Sequence, residues 1–166
     1  YWELSYILSS DTTSIPILGD MLNKLPRCPR KGKPIRLQLT SQHVPASPEG
    51  YMMEINEKGV CISARTMTGI FYGCQTLEQL MEDSRDFNIL IPAMLIIDYP
   101  AISYRAVHFD VKHHLDRMEY YYQEIDKLAR YKINAVIWEL EDKLRYTRRP
   151  EIGAANAIRK QEIQAL

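Results

Sequence analysis

Three carboxylates crowd the short stretch Glu139, Glu141 and Asp142. Two carboxyl groups held close together can run glycoside hydrolysis, one protonating the leaving oxygen and the other attacking or activating water. Upstream stand His108, Asp110, His113 and His114, with Arg105 ahead of them. Such a group invites a metal, and His108 and Asp110 would share one side of a strand. Adjacent histidines are no standard zinc spacing, however, and no second cluster completes a shell. Polar loop and interface residues, with Asp110 in an ion pair, are the more ordinary use of these side chains. Arg105 offers several directed donors on a group charged at any working pH. Its ordinary use is an ion pair, with Asp98 or Asp110 as partner.

The elements around these residues read as strand, helix, strand. Val107, Phe109 and Val111 alternate within Tyr104–Val111. Asp116 and Glu119 form an Asp-x-x-Glu capping pair ahead of a helix over Met118–Lys132, on which Tyr121, Ile125, Leu128 and Ala129 recur at helical spacing. Ile133–Leu140 is an apolar run of strand length. Two strands joined through such a helix must be parallel, with a right-handed crossover expected. The carboxylates then lie at the carboxyl end of the second strand. A basic, Gly-containing loop over Lys143–Asn156 and a helix starting near Ala157 follow.

The first hundred residues predict a sheet with two helices. Trp2–Leu8 reads as a strand, and Ile15, Leu18, Leu22 and Leu25 as a helical stripe. Ile35–Thr40 alternates as a strand. Tyr51–Ile55 and Val60–Ala64 flank the turn Asn56-Glu57-Lys58-Gly59 as a hairpin. A helix follows over Met67–Met81, with Ile70, Cys74, Leu77 and Met81 on one face. Gly69 and Gly73 weaken that helix and let it lie close to the sheet. Met94–Ile97 is the last strand before Tyr99-Pro100 marks a boundary.

Several of these strings resemble one family. DYPAISYRAVHFDVKHH (98–114) resembles the start of the catalytic barrel of family-20 glycoside hydrolases, the β-N-acetylhexosaminidases, which read roughly I-x-D-x-P-x-x-x-x-R-G-x-x-x-D-x-x-R-H there. KINAVIWELED (132–142) resembles their next barrel strand, K-L-N-x-x-H-W-H-L-x-D. EGYMMEI (49–55), VCISA (60–64) and, most specifically, GIFYGCQTLEQL (69–80) resemble the small domain before the barrel.

The resemblance implies a small α+β domain over residues 1–100 and, over 101–166, the first β-α-β of an incomplete (β/α)8 barrel. It implies a retaining, substrate-assisted hydrolase that removes terminal N-acetylhexosamine from glycans, without metal or cofactor. Arg105 would bind hydroxyls of the terminal sugar, although barrel sites gather at the carboxyl ends of strands and Arg105 opens its own. Asp142 would take a structural or supporting role. Catalysis in the family uses an adjacent Asp-Glu pair on a later strand. No Asp-Glu dipeptide follows Asp142, so this chain is expected to be inactive alone. The chain also departs from the pattern: His113 replaces an arginine, and Ile137 and Glu139 replace two histidines. A non-catalytic carbohydrate-binding or interaction module is the alternative, and a small glycosidase using Glu139 with Glu141 or Asp142 is a weaker third.

Composition adds exclusions. The chain has 166 residues, with 21 basic and 21 acidic side chains and no net charge, which gives no electrostatic reason to expect nucleic acid or an anionic membrane. The basic groups at Arg27, Arg30, Lys31 and Lys33, and at Arg145, Arg148 and Arg149, read as solvated loops. No apolar run is long enough to span a bilayer. Cys28, Cys61 and Cys74 share no metal spacing and predict no disulfide scaffold. No signal peptide is recognisable, and a first residue of Tyr1 suggests a processed or excised segment. The compartment is open, and the family implies an extracellular, periplasmic or lysosomal one. An open strand edge at Leu140 predicts a homodimer, or disorder beyond about Lys143.

Overall fold

The computed structural model describes residues 4–6 and 33–166, which fall into two compact units, Tyr1–Ala101 and Ile102–Leu166. The expected helix over 15–25, Cys28, and Arg27, Arg30 and Lys31 lie outside the described residues. So do the ends of the strand expected at Trp2–Leu8.

Among the described residues, the first unit holds a mixed five-stranded sheet. Its strands are β1 (Leu4–Tyr6), β2 (Lys33–Leu39), β3 (Tyr51–Asn56), β4 (Gly59–Ala64) and β5 (Met94–Asp98), in the order β1-β2-β4-β3-β5. β2 runs parallel to β1 and β4, while β3 is antiparallel to β4 and β5. Alternation decides which side chains enter the core. Ile35, Leu37, Met53, Ile55 and Ile62 are buried, whereas Arg36, Gln38 and Glu54 are exposed. Each large apolar side chain removed from water in this way contributes about 1.5–3 kcal/mol.

The β3–β4 hairpin closes where the sequence places it, with Asn56 paired to Gly59. Asn56 Oδ1 accepts the Lys58 amide at 2.8 Å. Gly59 has φ +130°, and a Cβ there would stand 2.2 Å from the Pro34 carbonyl oxygen. No other residue meets both demands.

Helix α1 (Met67–Asp86) buries Ile70, Tyr72 and Leu77 against β3 and β4. Thr66 caps its start, its hydroxyl accepting the Gly69 amide at 3.2 Å and donating to the Pro48 carbonyl. The helix runs past the expected end at Met81 to Asp86. Its apolar stripe stops earlier, but the backbone stops only where Asn88 adopts φ 53° and the Ile89 amide bonds back to the Ser84 carbonyl at 3.0 Å.

The second unit holds β6 (Ala106–Asp110), α2 (Met118–Arg130) and β7 (Ala135–Glu139), with β6 and β7 parallel and Asp110 opposite Glu139. Phe109 stacks on Trp138 at 4.9 Å, and the buried Tyr121 of α2 meets Trp138 edge-on at 5.1 Å. This aromatic cluster fixes which face of the two strands meets the helix.

The expected Asp116–Glu119 capping pair does not form. Arg117 is the N-cap residue and caps with no side-chain bond, while the Asp116 carboxylate lies 3.0 Å from His114 Nε2. Nor does the helix reach Lys132, which instead takes φ 60° in the turn that ends it.

The segment after Lys143 is folded rather than disordered. Leu144 pairs with Ile158, Ala157 and Ile158 are buried, and a short helix α3 (Lys160–Gln164) follows.

Candidate functional site

Alternation puts Val107 and Phe109 on the α2 side of β6, so His108 and Asp110 share the opposite, open face. Parallel register then sets Glu139 across from Asp110 on that same face. The three meet through Lys112, just past the end of β6. Lys112 Nζ lies 2.5 Å from Glu139 Oε1 and 3.2 Å from Asp110 Oδ2, and His108 Nε2 lies 3.1 Å from Glu139 Oε2. The Val111 amide donates to the Glu139 carbonyl at 3.1 Å, so the backbone holds the junction as well. A polar network thus occupies the carboxyl end of two parallel strands, where α/β folds place their sites.

At Asp110, lost solvation pushes the carboxyl up, but hydrogen bonds from Lys112 and the Lys112 and His113 charges outweigh it. The net shift is downward. Hydrogen bonds to Glu139 and then to Asp110 hold the Lys112 ammonium above its usual range. Asp110 therefore stabilises the fold above about pH 4, an effect lost as pH falls through its lowered value. Lys112 does so below about pH 10, and its effect is lost as pH rises through its raised value. In a profile of Tm against pH, Lys112→Met is expected to flatten both the acid and the alkaline limb. A variant profile parallel to that of the parent chain would show the network to be idle.

Glu141 and Asp142 do not join this network. Glu141 turns the chain out of β7 with φ 43°, and its carbonyl accepts the Tyr146 hydroxyl at 3.0 Å. Asp142 holds Lys143 Nζ at 2.7 and 2.8 Å, and its carbonyl accepts the Ala154 amide at 2.8 Å. Asp142 thus supports the loop, and the crowded carboxylates of the sequence serve three separate tasks. Among the described residues no group of His, Cys, Asp or Glu side chains is placed to hold a metal. Burial, and next the charge of Glu78, push the Cys74 thiol up to about 12, which leaves it a core side chain rather than a nucleophile.

Arg105 lies at the other end of β6. Its Nε donates to the Lys132 carbonyl at 2.8 Å and its Nη1 to the Ile102 carbonyl at 2.7 Å. Its own amide donates to Asn134 Oδ1 at 2.9 Å, and Asn134 Nδ2 reaches the Ser103 carbonyl at 2.8 Å. The guanidinium ties the approach to β6 to the turn between α2 and β7.

Sequence reasoning missed Lys112. The signal that could have found it is register, since pairing Ala106 with Ala135 brings Asp110 opposite Glu139 and leaves two carboxylates needing a cation.

Comparison with known proteins places these elements. Residues 18–99 match the model for glycosyl hydrolase family 20, domain 2. A β-hexosaminidase of Porphyromonas gingivalis is 36% identical over 124 residues, covering 67% of this chain and 16% of that protein. A β-N-acetylhexosaminidase of Cellulomonas fimi is 30% identical over 127 residues, covering 74% of this chain and 25% of that protein. The structure of the Streptomyces coelicolor β-N-acetylhexosaminidase superposes with a TM-score of 0.66 at 28% identity, over 82% of this chain and 30% of that one. The chain therefore spans a quarter or less of the length of these two curated relatives.

Proposed function

This chain belongs to glycosyl hydrolase family 20, and from that premise we propose that it is an amino-terminal portion of a β-N-acetylhexosaminidase. Residues 1–100 form the small domain before the barrel. Residues 101–166 supply the first strand, helix and strand of an incomplete (β/α)8 barrel. The observation that carries this is β6-α2-β7: a parallel pair with its helix on one face and His108, Asp110 and Glu139 on the other. In a closed barrel that open face points inward.

The whole protein removes terminal N-acetylhexosamine from glycans by a retaining route in which the substrate's own acetamide attacks the anomeric carbon. The Asp-Glu pair that serves this route in the family lies outside the chain, so the chain alone is inactive. Its own contribution is to shape one sector of the pocket. Lys112 holds the Asp110 and Glu139 carboxylates, and Asp142 braces the loop that follows. Arg105 has two of its donors, Nε and Nη1, on backbone carbonyls at the amino end of β6, which braces the barrel floor, and the family resemblance assigns the same residue to the hydroxyls of the terminal sugar.

The test is substrate choice by a longer protein that contains this chain. It should hydrolyse a chromogenic N-acetyl-β-glucosaminide and leave the matching β-glucoside, which lacks the acetamide nucleophile, untouched. Equal rates on both would exclude substrate assistance.

Ile137 and Glu139 stand where the family pattern has histidines, which favours a second reading: a carbohydrate-binding or interaction module that kept the scaffold without the chemistry. A longer protein that binds N-acetylglucosamine and never turns it over would establish it.

Among the described residues, β6 and β7 pair only with each other. Their outer edges are templates for a further strand, and in the isolated chain a second copy fills that place. Sedimentation should give a dimer. A monodisperse monomer at high concentration would count against this.

A further inference from the structure

We propose that a cleft beside the carboxyl ends of β6 and β7 binds an anionic group carried on a glycan, a sulfate ester or a uronic acid carboxylate. The cleft holds about 560 Å³ and is lined by Arg117, Arg145 and Arg159. These arginines come from three places: the residue that starts α2, the strand-like pairing of Leu144 with Ile158, and the residue that starts α3. Among the described residues none of their guanidinium groups makes an ion pair, unlike Arg85 on Asp86 and Arg149 on Glu151.

Three carboxylates line the same cleft, Asp116, Glu119 and Glu162. Asp116 is taken by His114 at 3.0 Å, and Glu162 accepts the Arg159 backbone amide at 2.7 Å. Both keep their charge, so the lining carries three carboxylates against three guanidinium groups. Among the described residues, however, the hydrogen-bond donors of the three guanidinium groups are the ones left open to a ligand. Each guanidinium can give an oxyanion two parallel hydrogen bonds. The buried Ala157 and Ile158 add an apolar floor suited to the carbon face of a sugar ring.

The choice of a glycan over a free anion rests on the glycosidase reading above. The loops leaving β6 and β7 both line the cleft, and in barrels those loops form the substrate end. The volume suits about one sugar residue with its substituent.

The 166-residue chain would be titrated by NMR at fixed ionic strength with sodium sulfate, an O-sulfated N-acetylglucosamine and neutral N-acetylglucosamine. The sulfated sugar should bind at least tenfold more tightly than either of the others. The double variant Arg145→Gln/Arg159→Gln should lose that tenfold preference with Tm unchanged, because both side chains are exposed. Equal binding of sulfate and sulfated sugar would reduce the cleft to a general anion site and overturn the proposal. So would equal binding of the sulfated and neutral sugars, a preference that survives the double variant, or no binding at all.

Hydrolysis of a neutral substrate by the longer protein separates this proposal from the one it rests on. Turnover without any preference for the sulfated sugar sinks the cleft alone. Preference without turnover sinks the glycosidase reading alone.

Discussion

Arg105→Ala is expected to lower the unfolding free energy of the chain by about 2 kcal/mol, the worth of charged hydrogen bonds to groups that are then left unpaired. The carbonyl at risk is that of Lys132. Lys132 has φ 60°, a conformation that costs a non-glycine residue about 1–2 kcal/mol. Its amide closes on the Ala129 carbonyl at 2.9 Å and the next amide on Leu128 at 3.0 Å, and the Arg105 Nε bond at 2.8 Å secures the same peptide from outside. Removing the arginine loosens the end of α2 and the start of β7 together. Thermal unfolding should fall by several degrees. Arg105→Lys should rescue little, because an ammonium on a flexible stem cannot hold two carbonyls in the geometry of a fork. In a longer, active protein the same variants separate the two roles for this residue. A structural arginine lowers Tm with KM nearly unchanged, whereas a sugar-binding one raises KM or lowers kcat with Tm intact.

Gly69→Ala is expected to cost about 2–3 kcal/mol, read as a lower urea midpoint at unchanged slope. Alanine would improve α1 by about 1 kcal/mol if the site were open. It is not open. A Cβ would stand 2.4 Å from the Gly50 carbonyl oxygen and 2.7 Å from Ala64 Cβ. The first of these is backbone and cannot swing aside, so the helix must lift from the sheet. At Gly73 the closest atom is Ile62 Cγ2 at 2.5 Å, a side chain that can turn. Gly73→Ala should therefore cost less than Gly69→Ala, and the reverse order would show that the sheet yields more readily than the core side chains.

The two glycines show what a single sequence exposes well. Their spacing on an otherwise apolar helix face signals close packing against something flat, and GIFYGCQTLEQL packs on β3 and β4 accordingly. The hairpin at Asn56–Gly59 was equally legible, because turn chemistry is local. So were β6, α2 and β7, whose periodicity is strong. Helix ends were not. Asn88 and Lys132 end their helices by adopting positive φ, which nothing in the apolar pattern marks.

The site was legible in outline only. The residue types were there, but their partners depend on register and on contacts between residues far apart in sequence. Arg105 bonds a carbonyl 27 residues away, and Lys112 reaches a carboxylate equally distant. Glu139, Glu141 and Asp142 looked like one cluster because they are adjacent in sequence. The φ of 43° at Glu141 turns the chain out of the strand and separates them.

The measurement closest to the central claim is hydrolysis of a chromogenic N-acetyl-β-glucosaminide by this 166-residue chain, side by side with a longer protein that contains it. The account predicts turnover by the longer protein alone, since the chain carries the Lys112 network and lacks an Asp-Glu pair to protonate the leaving oxygen and orient the acetamide. Turnover by the short chain would contradict it and return the chemistry to Asp110 and Glu139, the two carboxylates that Lys112 already holds together.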